Sequence, residues 1–297
     1  MCLPGTAEAV RERVEREGTL ATVDRRTVLA GAAATALAAA FPSLADASHR
    51  RGRGLGLGHD HGRGKMRMQD LTHVFQAGFP IFGTPPTFRM PSRRTVVTIP
   101  ANGFYGQEWT FWEHSGTHMD APGHFIQGGR LSPEITLPEL VAPLFVVDVS
   151  AHVRRNVDYA VTVDDVRRAE RRYGRIPRGA LVAMYSGWEE RLDVSDPNRF
   201  RNPDASGTLH FPGWSGDAVR WLLAERDVQA LGVDTLSLDP GNSTTFDAHV
   251  TLLGADRYGL ENLANLSRVR PRGTTAYVGL VPWEAGSGGP CRVWAAW

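Results

Sequence analysis

Three imidazoles and one carboxylate fall within the eleven residues from His114 to His124, in the stretch His114-Ser-Gly-Thr-His118-Met-Asp120-Ala-Pro-Gly-His124-Phe125. Neutral imidazole and carboxylate are ligands that zinc, manganese and iron accept. A fold for this chain must either bring those groups to one point or leave them as a polar turn facing water and carbonyls. Glycine, histidine and aspartate propagate helices poorly, and Pro122 would break one. The segment therefore reads as a loop, delivered by a strand over Gln107–Glu113. Gly116, Pro122 and Gly123 let it bend tightly enough for several side chains to converge.

The first 68 residues read as address and linker, not as fold. Arg25-Arg26 precedes an apolar, alanine-rich run ending at Phe41, and Ala45-Asp46-Ala47 follows. Paired arginines, a moderately apolar core and an A-x-A site read as a cleavable twin-arginine export signal over residues 1–47, with an uncleaved signal anchor or a surface alanine helix as the competing readings. The run Thr27–Phe41 is 15 residues, short of the roughly 20 that span a bilayer. This implies the twin-arginine machinery as a transient partner, an extracellular or periplasmic destination and no stable membrane span. Residues 48–68 are dense in Gly, Arg and His and cannot bury enough apolar area to order themselves. His59-Asp60-His61 within them reads as solvated linker. Cys2 and Cys291 are the sole cysteines, which excludes a disulfide framework or zinc ribbon. A formal net charge of +1 gives no reason to expect a nucleic-acid partner.

Residues 69–297 carry the folded pattern. Strands are expected over Asp70–Phe75, Arg94–Ile99, Leu144–Val149, Ala180–Tyr185, Gln229–Asp234 and Thr274–Val281. Asn102-Gly103 marks a turn. A helix begins after Thr162, with Asp164 and Asp165 in its first turn, and stops at Gly174. A second runs from the cap Ser215 to Arg226, with Val219, Leu222 and Leu223 as its apolar stripe. Strand–helix alternation is partial, so the class is a mixed α/β domain and not a clean parallel sheet. His73, His152 and His210 are isolated and read as surface or core. Asp234 and Asp239 border turns and read as caps. Asp247, two residues before His249, reads either as a carboxylate orienting that imidazole or as solvent-facing.

His249 and Glu261-Asn-Leu lie twelve residues apart. With the loop His114-x-Gly-Thr-His118-x-Asp120-x-Pro122-x-His124-Phe125, they resemble the metal-dependent cyclase family, whose best-known members are bacterial kynurenine formamidases. Asp70-Leu-Thr72, Ser186-Gly-Trp188 and Gly232-Val-Asp234-Thr-Leu-Ser237 are similar too, so the resemblance runs from about Asp70 to Trp283. It implies a swivelling β/β/α mixed-sheet domain that assembles as a homo-oligomer, dimer or tetramer, with one or two divalent ions, Zn2+ or Mn2+, per chain. By the resemblance His114, His118 and Asp120 hold one ion, Asp120 bridges to a second completed by His249 and Glu261, and His124 carries protons. An aromatic in the family's early Pro-x-Trp-Pro stretch contacts substrate. Here Pro80-Ile-Phe82-Gly83 puts Phe82 in its place, without the second proline. Trp188 is a further candidate contact.

The chemistry is consistent with those roles. Two imidazoles and a carboxylate leave coordination positions open, as a catalytic ion requires. His124, four residues past Asp120, has an imidazole that titrates in the range needed to shuttle a proton. The expected activity is hydrolysis of a non-peptide amide C–N bond, with an aryl formamide such as N-formylkynurenine as the small-molecule substrate. The alternative is a cyclic amide or lactone, as in isatin hydrolases, which are similar at the same motif. A rival of another class is an exported protein that binds metal or ligand without turnover. Export argues against a housekeeping part in tryptophan breakdown. Export predicts a mature chain starting at Ser48. N-terminal sequencing of the secreted protein checks this, and a start at Met1 would defeat it.

Overall fold

The computed structural model describes residues 66–83 and 86–297. The export signal and nearly all of the linker lie outside the described residues. Those described fall into two units, a small one over residues 94–108 and a body containing residues 66–93 and 109–297.

The chain follows β1 (Met68–Asp70) with a two-stranded pair, β2 (Ser92–Val97) and β3 (Gly106–Thr110), and the small unit holds residues 94–97 and 106–108 of it. The strand expected over Arg94–Ile99 ends early because Ile99-Pro100 opens a helical turn, Ile99–Asn102, with proline in its first positions. Gly103 then closes the turn at φ 79°, where the Asn-Gly signal placed it. The strand expected over Gln107–Glu113 stops at Thr110.

The body is built on strands β4 (His118–Asp120), β5 (Val141–Asp148), β7 (Leu181–Tyr185), β9 (Ala230–Val233), β10 (Tyr258–Glu261), β11 (Thr274–Leu280) and β12 (Gly288–Ala296), with β1 beside β12. A minor parallel pair, β6 (Ala160–Val161) and β8 (Gly213–Trp214), stands apart. The main order is β1-β12-β11-β5-β7-β9-β10-β4, and β4 also pairs with β12, which closes the sheet into a barrel. Strands β5, β7, β9 and β10 run parallel. Each crossover between them carries a helix: α1 (Val163–Tyr173), α2 (Gly216–Arg226) and α3 (Asp247–Gly254).

Side chains alternate across these strands. Ala142, Leu144 and Val146 of β5, Leu181 and Ala183 of β7, and Tyr258 and Leu260 of β10 fill one core, inside the barrel. Phe145 and Val147, Val182 and Met184, and Leu231 and Val233 face the other way, into a second core with Val166, Val219 and Leu252 of the helices. The helices begin where the sequence said. Thr162 Oγ1 accepts from Asp165 N while the Asp165 carboxylate accepts from Thr162 N at 2.9 Å, a reciprocal capping box. Ser215 Oγ accepts from Ala218 N at 3.2 Å.

Further elements depart from expectation: the strand expected over Asp70–Phe75 is instead Met68–Asp70, with Thr72 making an isolated bridge to Leu263. Residues His118–Asp120, read as loop, form β4, because β10 and β12 supply hydrogen-bonding partners on both sides. The segment around His249 is helical. Its cap is the Asp239 carboxylate, which accepts from Ala248 N at 2.8 Å and His249 N at 3.1 Å; Asp239 reads as a cap in the sequence, but the helix it caps is too distant to be read locally. The longest strand, β12, follows the Thr274–Val281 strand that was expected to be last. Its Gly288-Gly-Pro start masks it.

Phe145 is fully buried between β5 and the helical layer. Phe145→Ala is expected to cost about 3–5 kcal/mol, seen as a lower urea midpoint with an unchanged slope.

Candidate metal centre

Period-two alternation sets up the site. Met119 of β4 points into the barrel, so His118 and Asp120 face outward. Glu261 stands directly across from His118 in the antiparallel β4–β10 register. Helix α3 brings His249 over the same face. Gly116, at φ 69°, turns the chain from His114 into β4, and a Cβ there would come within 2.6 Å of the Phe75 ring.

Among the described residues, two groups of three have ligand atoms lying within 4.8 Å of one another: His114, His118 and Asp120, and Asp120, His249 and Glu261. All five are buried. His114 Nδ1 is 2.6 Å from Asp120 Oδ1. His118 Nε2 is 3.3 Å from Asp120 Oδ1 and 3.4 Å from Glu261 Oε2. His249 Nε2 is 3.3 Å from Asp120 Oδ2 and 3.1 Å from Glu261 Oε1. Glu261 Oε1 also accepts from Leu238 N at 2.9 Å.

Each imidazole presents one nitrogen to the carboxylates and rests the other on an outer group. For His118 this is the Gly116 carbonyl at 2.8 Å, for His249 the Asp239 carboxylate at 2.6 Å, and for His114 the Ser287 hydroxyl at 2.8 Å. Metal-ligating histidines are oriented in this way. The inner nitrogen of His118 is buried and makes no well-directed hydrogen bond.

Electrostatics agree with a site built for a cation. Burial alone would lower the His118 pKa, but hydrogen bonding and charge from Asp120 and Glu261 outweigh it and raise it to about 10. His249 is raised well above the usual imidazole range despite its burial, through Asp120, Asp239 and Glu261. Burial pushes Asp120 up, yet the surrounding imidazoles hold it well below the usual carboxylate range. Two buried carboxylates thus draw positive charge onto the histidines. A divalent cation supplies that charge through the same atoms, so the donor set fits a metal, as does the buried His118 Nε2, which faces both carboxylates without a well-directed hydrogen bond.

His124 belongs to neither ligand group. Its ring stacks on His114, with centroids 3.7 Å apart and planes at 24°. Burial, above all, lowers its pKa to about 4, below the near-neutral range expected from the sequence, so the ring is neutral at pH 7. The cluster floors a cavity of about 270 Å3 whose walls include Phe82, Phe88, Trp112, Phe125 and Phe246. Phe125 stacks on His249 with centroids 4.6 Å apart.

The structure therefore gathers His114, His118, Asp120, His124, His249, Glu261 and Phe82 in one place. It does not bring Trp188 there. That residue is 2% exposed and packs in the outer core, with its indole nitrogen donating to Phe200 O at 2.8 Å. Asp247 pairs with Arg220 at 3.1 Å, and the carboxylate that orients His249 is Asp239. Asp239 reads in the sequence as a cap and is one, but nothing local places it behind His249; Ser287 and Phe246 carried no local signal. Trp112, Glu113 and Phe125 could have been suspected from adjacency to the motif.

Fold and site together define a mixed α/β barrel carrying a buried imidazole–carboxylate centre suited to divalent cations. The chain belongs to the cyclase family, whose Cyclase model matches residues 69–240. It is 32% identical to an isatin hydrolase of Roseibium aggregatum over 240 residues, covering 76% of this chain and 90% of that one. It is 27% identical to a kynurenine formamidase of Sphingopyxis alaskensis, covering 66% and 82%. Among solved structures, isatin hydrolase A from Ralstonia solanacearum is similar at 37% identity and a TM-score of 0.73, covering 80% of this chain and 94% of that one.

Asp239→Asn keeps an oxygen for capping α3 but leaves no carboxylate beneath His249 Nδ1. It is expected to weaken divalent-metal binding about 10–100-fold, measured by competition with a chelator.

Proposed function

We propose that the protein is a metal-dependent hydrolase that opens the C–N bond of an aromatic cyclic amide of the isatin type. The observation that carries this reading is the imidazole–carboxylate cluster flooring a cavity walled by Phe82, Phe88, Trp112, Phe125 and Phe246. Such walls accept a planar bicyclic aromatic and leave its reactive carbonyl over the polar floor. His114, His118 and Asp120 would hold one ion, and Asp120, His249 and Glu261 a second, as Zn2+ or Mn2+. A bound divalent cation polarises a carbonyl and lowers the pKa of water.

The chain's own residues do the rest. The aromatic walls orient the ring and limit competing water. His124, neutral and held face to face with His114, accepts a proton from the attacking water and delivers one to the departing ring nitrogen. The carbonyl carbon gains the water oxygen, the amide C–N bond breaks, and the products are a carboxylate and an aniline on one molecule. An aryl formamide contains the same kind of bond. Sequence reading placed it first; the similarity to isatin hydrolases at 32% and 37% identity supports the reverse order.

Two further proposals concern setting. Export by the twin-arginine route rests on Arg25-Arg26 and the apolar run after them. Assembly with a second copy is supported by apolar side chains exposed on the 94–108 unit, Val96 at 45%, Ile99 at 60% and Tyr105 at 58%.

Hydrolysis of isatins, N-formyl anilines and lactones should be assayed before chelation, after it, and after adding back Zn2+ or Mn2+. Loss and recovery of isatin opening is expected. Activity indifferent to chelator overturns the reading, and silence across the panel with metal bound favours a binding protein. His124→Ala is expected to retain metal while lowering kcat about 10²–10⁴-fold; loss of metal instead would make His124 a ligand.

A further inference from the structure

His114 differs from the other two imidazoles in what stands behind it. Its Nε2 lies 2.8 Å from Ser287 Oγ, and Ser287 Oγ donates to Glu113 Oε1 at 2.7 Å. A hydroxyl has one proton to give. With that proton on Glu113, Ser287 can meet His114 solely as an acceptor, so His114 Nε2 carries hydrogen. The Nδ1 lone pair then faces Asp120 Oδ1 across 2.6 Å, an opposition that a cation or a proton between them relieves.

The turn that presents Ser287 is shaped for this purpose. Its carbonyl accepts from Ala121 N at 2.9 Å, just past β4, and the preceding carbonyl, of Gly286, accepts from Ser132 N at 2.8 Å. A Cβ on the following residue, Gly288, would come within 2.8 Å of His114 Cε1 and 2.1 Å of Met119 O. Ser287 is thus held on both sides, and the imidazole packs against a residue that has no side chain. The Glu113 side chain remains 31% exposed, so the chain of contacts runs from the buried cluster to solvent.

We propose that Glu113 and Ser287 are positioning residues, a two-step hydrogen-bonded relay that sets the tautomer and ring plane of His114 and so the grip of the His114–His118–Asp120 group on its cation. His249 has a carboxylate, Asp239, directly behind it; His114 reaches its carboxylate through a hydroxyl. The inference rests on the proposed reading of the cluster as a metal site.

The test uses the full chain and Zn2+ alone, titrated against a chromophoric chelator, for wild type, Glu113→Ala, Ser287→Ala and the double variant. Thermal unfolding of the metal-free proteins is measured in parallel. Each single variant is expected to bind one ion about 10–100-fold more weakly, with metal-free unfolding little changed. Because the two act in series, the double variant should lose no more than Ser287→Ala does. A purely structural role would give losses that add. Single-variant affinities within twofold of wild type, or additive losses, overturn the relay while leaving the metal reading standing. A wild-type chain that takes up no Zn2+ overturns both.

Discussion

Three imidazoles converge on the buried carboxylate of Asp120, and much of the body is arranged to make that convergence tolerable. An ionised carboxylate away from water is costly unless it is paired and hydrogen-bonded. Here His114 and His118 lie within 3.3 Å of one carboxylate oxygen and His249 within 3.3 Å of the other. Placing Asp120 requires β4 to be pinned on both sides, by β10 and by β12. That double pairing is also what closes the barrel. Barrel closure and the placing of Asp120 therefore depend on one three-residue strand.

The same economy appears in α3. Asp239 satisfies two amide nitrogens at the start of the helix and accepts the Nδ1 hydrogen of His249. One side chain starts the helix and aims the His249 ring. On the other flank, the Ser287–Gly288 turn closes β12 against β4 and supports His114 from behind. The three histidines around Asp120 are thus each braced by an element remote in sequence, or, for His118, by the backbone of its own turn. Fixing both nitrogens of a ring leaves the inner lone pair no choice of direction.

Above this floor the environment changes from polar to aromatic. Phe82 meets Phe211 and Phe246 edge to face, and Phe125 bridges Phe246 and His249. A cavity with a charged base and aromatic sides sorts substrates by shape while leaving the chemistry to the base.

By itself the sequence determined what depends on neighbours along the chain. The Thr162–Asp165 and Ser215 caps, the strands Leu144–Val149 and Ala180–Tyr185, and the spacing of His114, His118, Asp120 and His124 could all be read locally. His249 and Glu261 were legible through their company with that motif. What the tertiary structure alone decided depends on contacts between distant segments. It made His118–Asp120 a strand and the His249 segment a helix, put Asp239 behind His249 and Ser287 behind His114, and placed Trp188 in the core instead of the cavity. A hydrogen bond to a residue many positions away leaves no period or spacing in the sequence. It comes into being when the barrel closes and brings its two ends together.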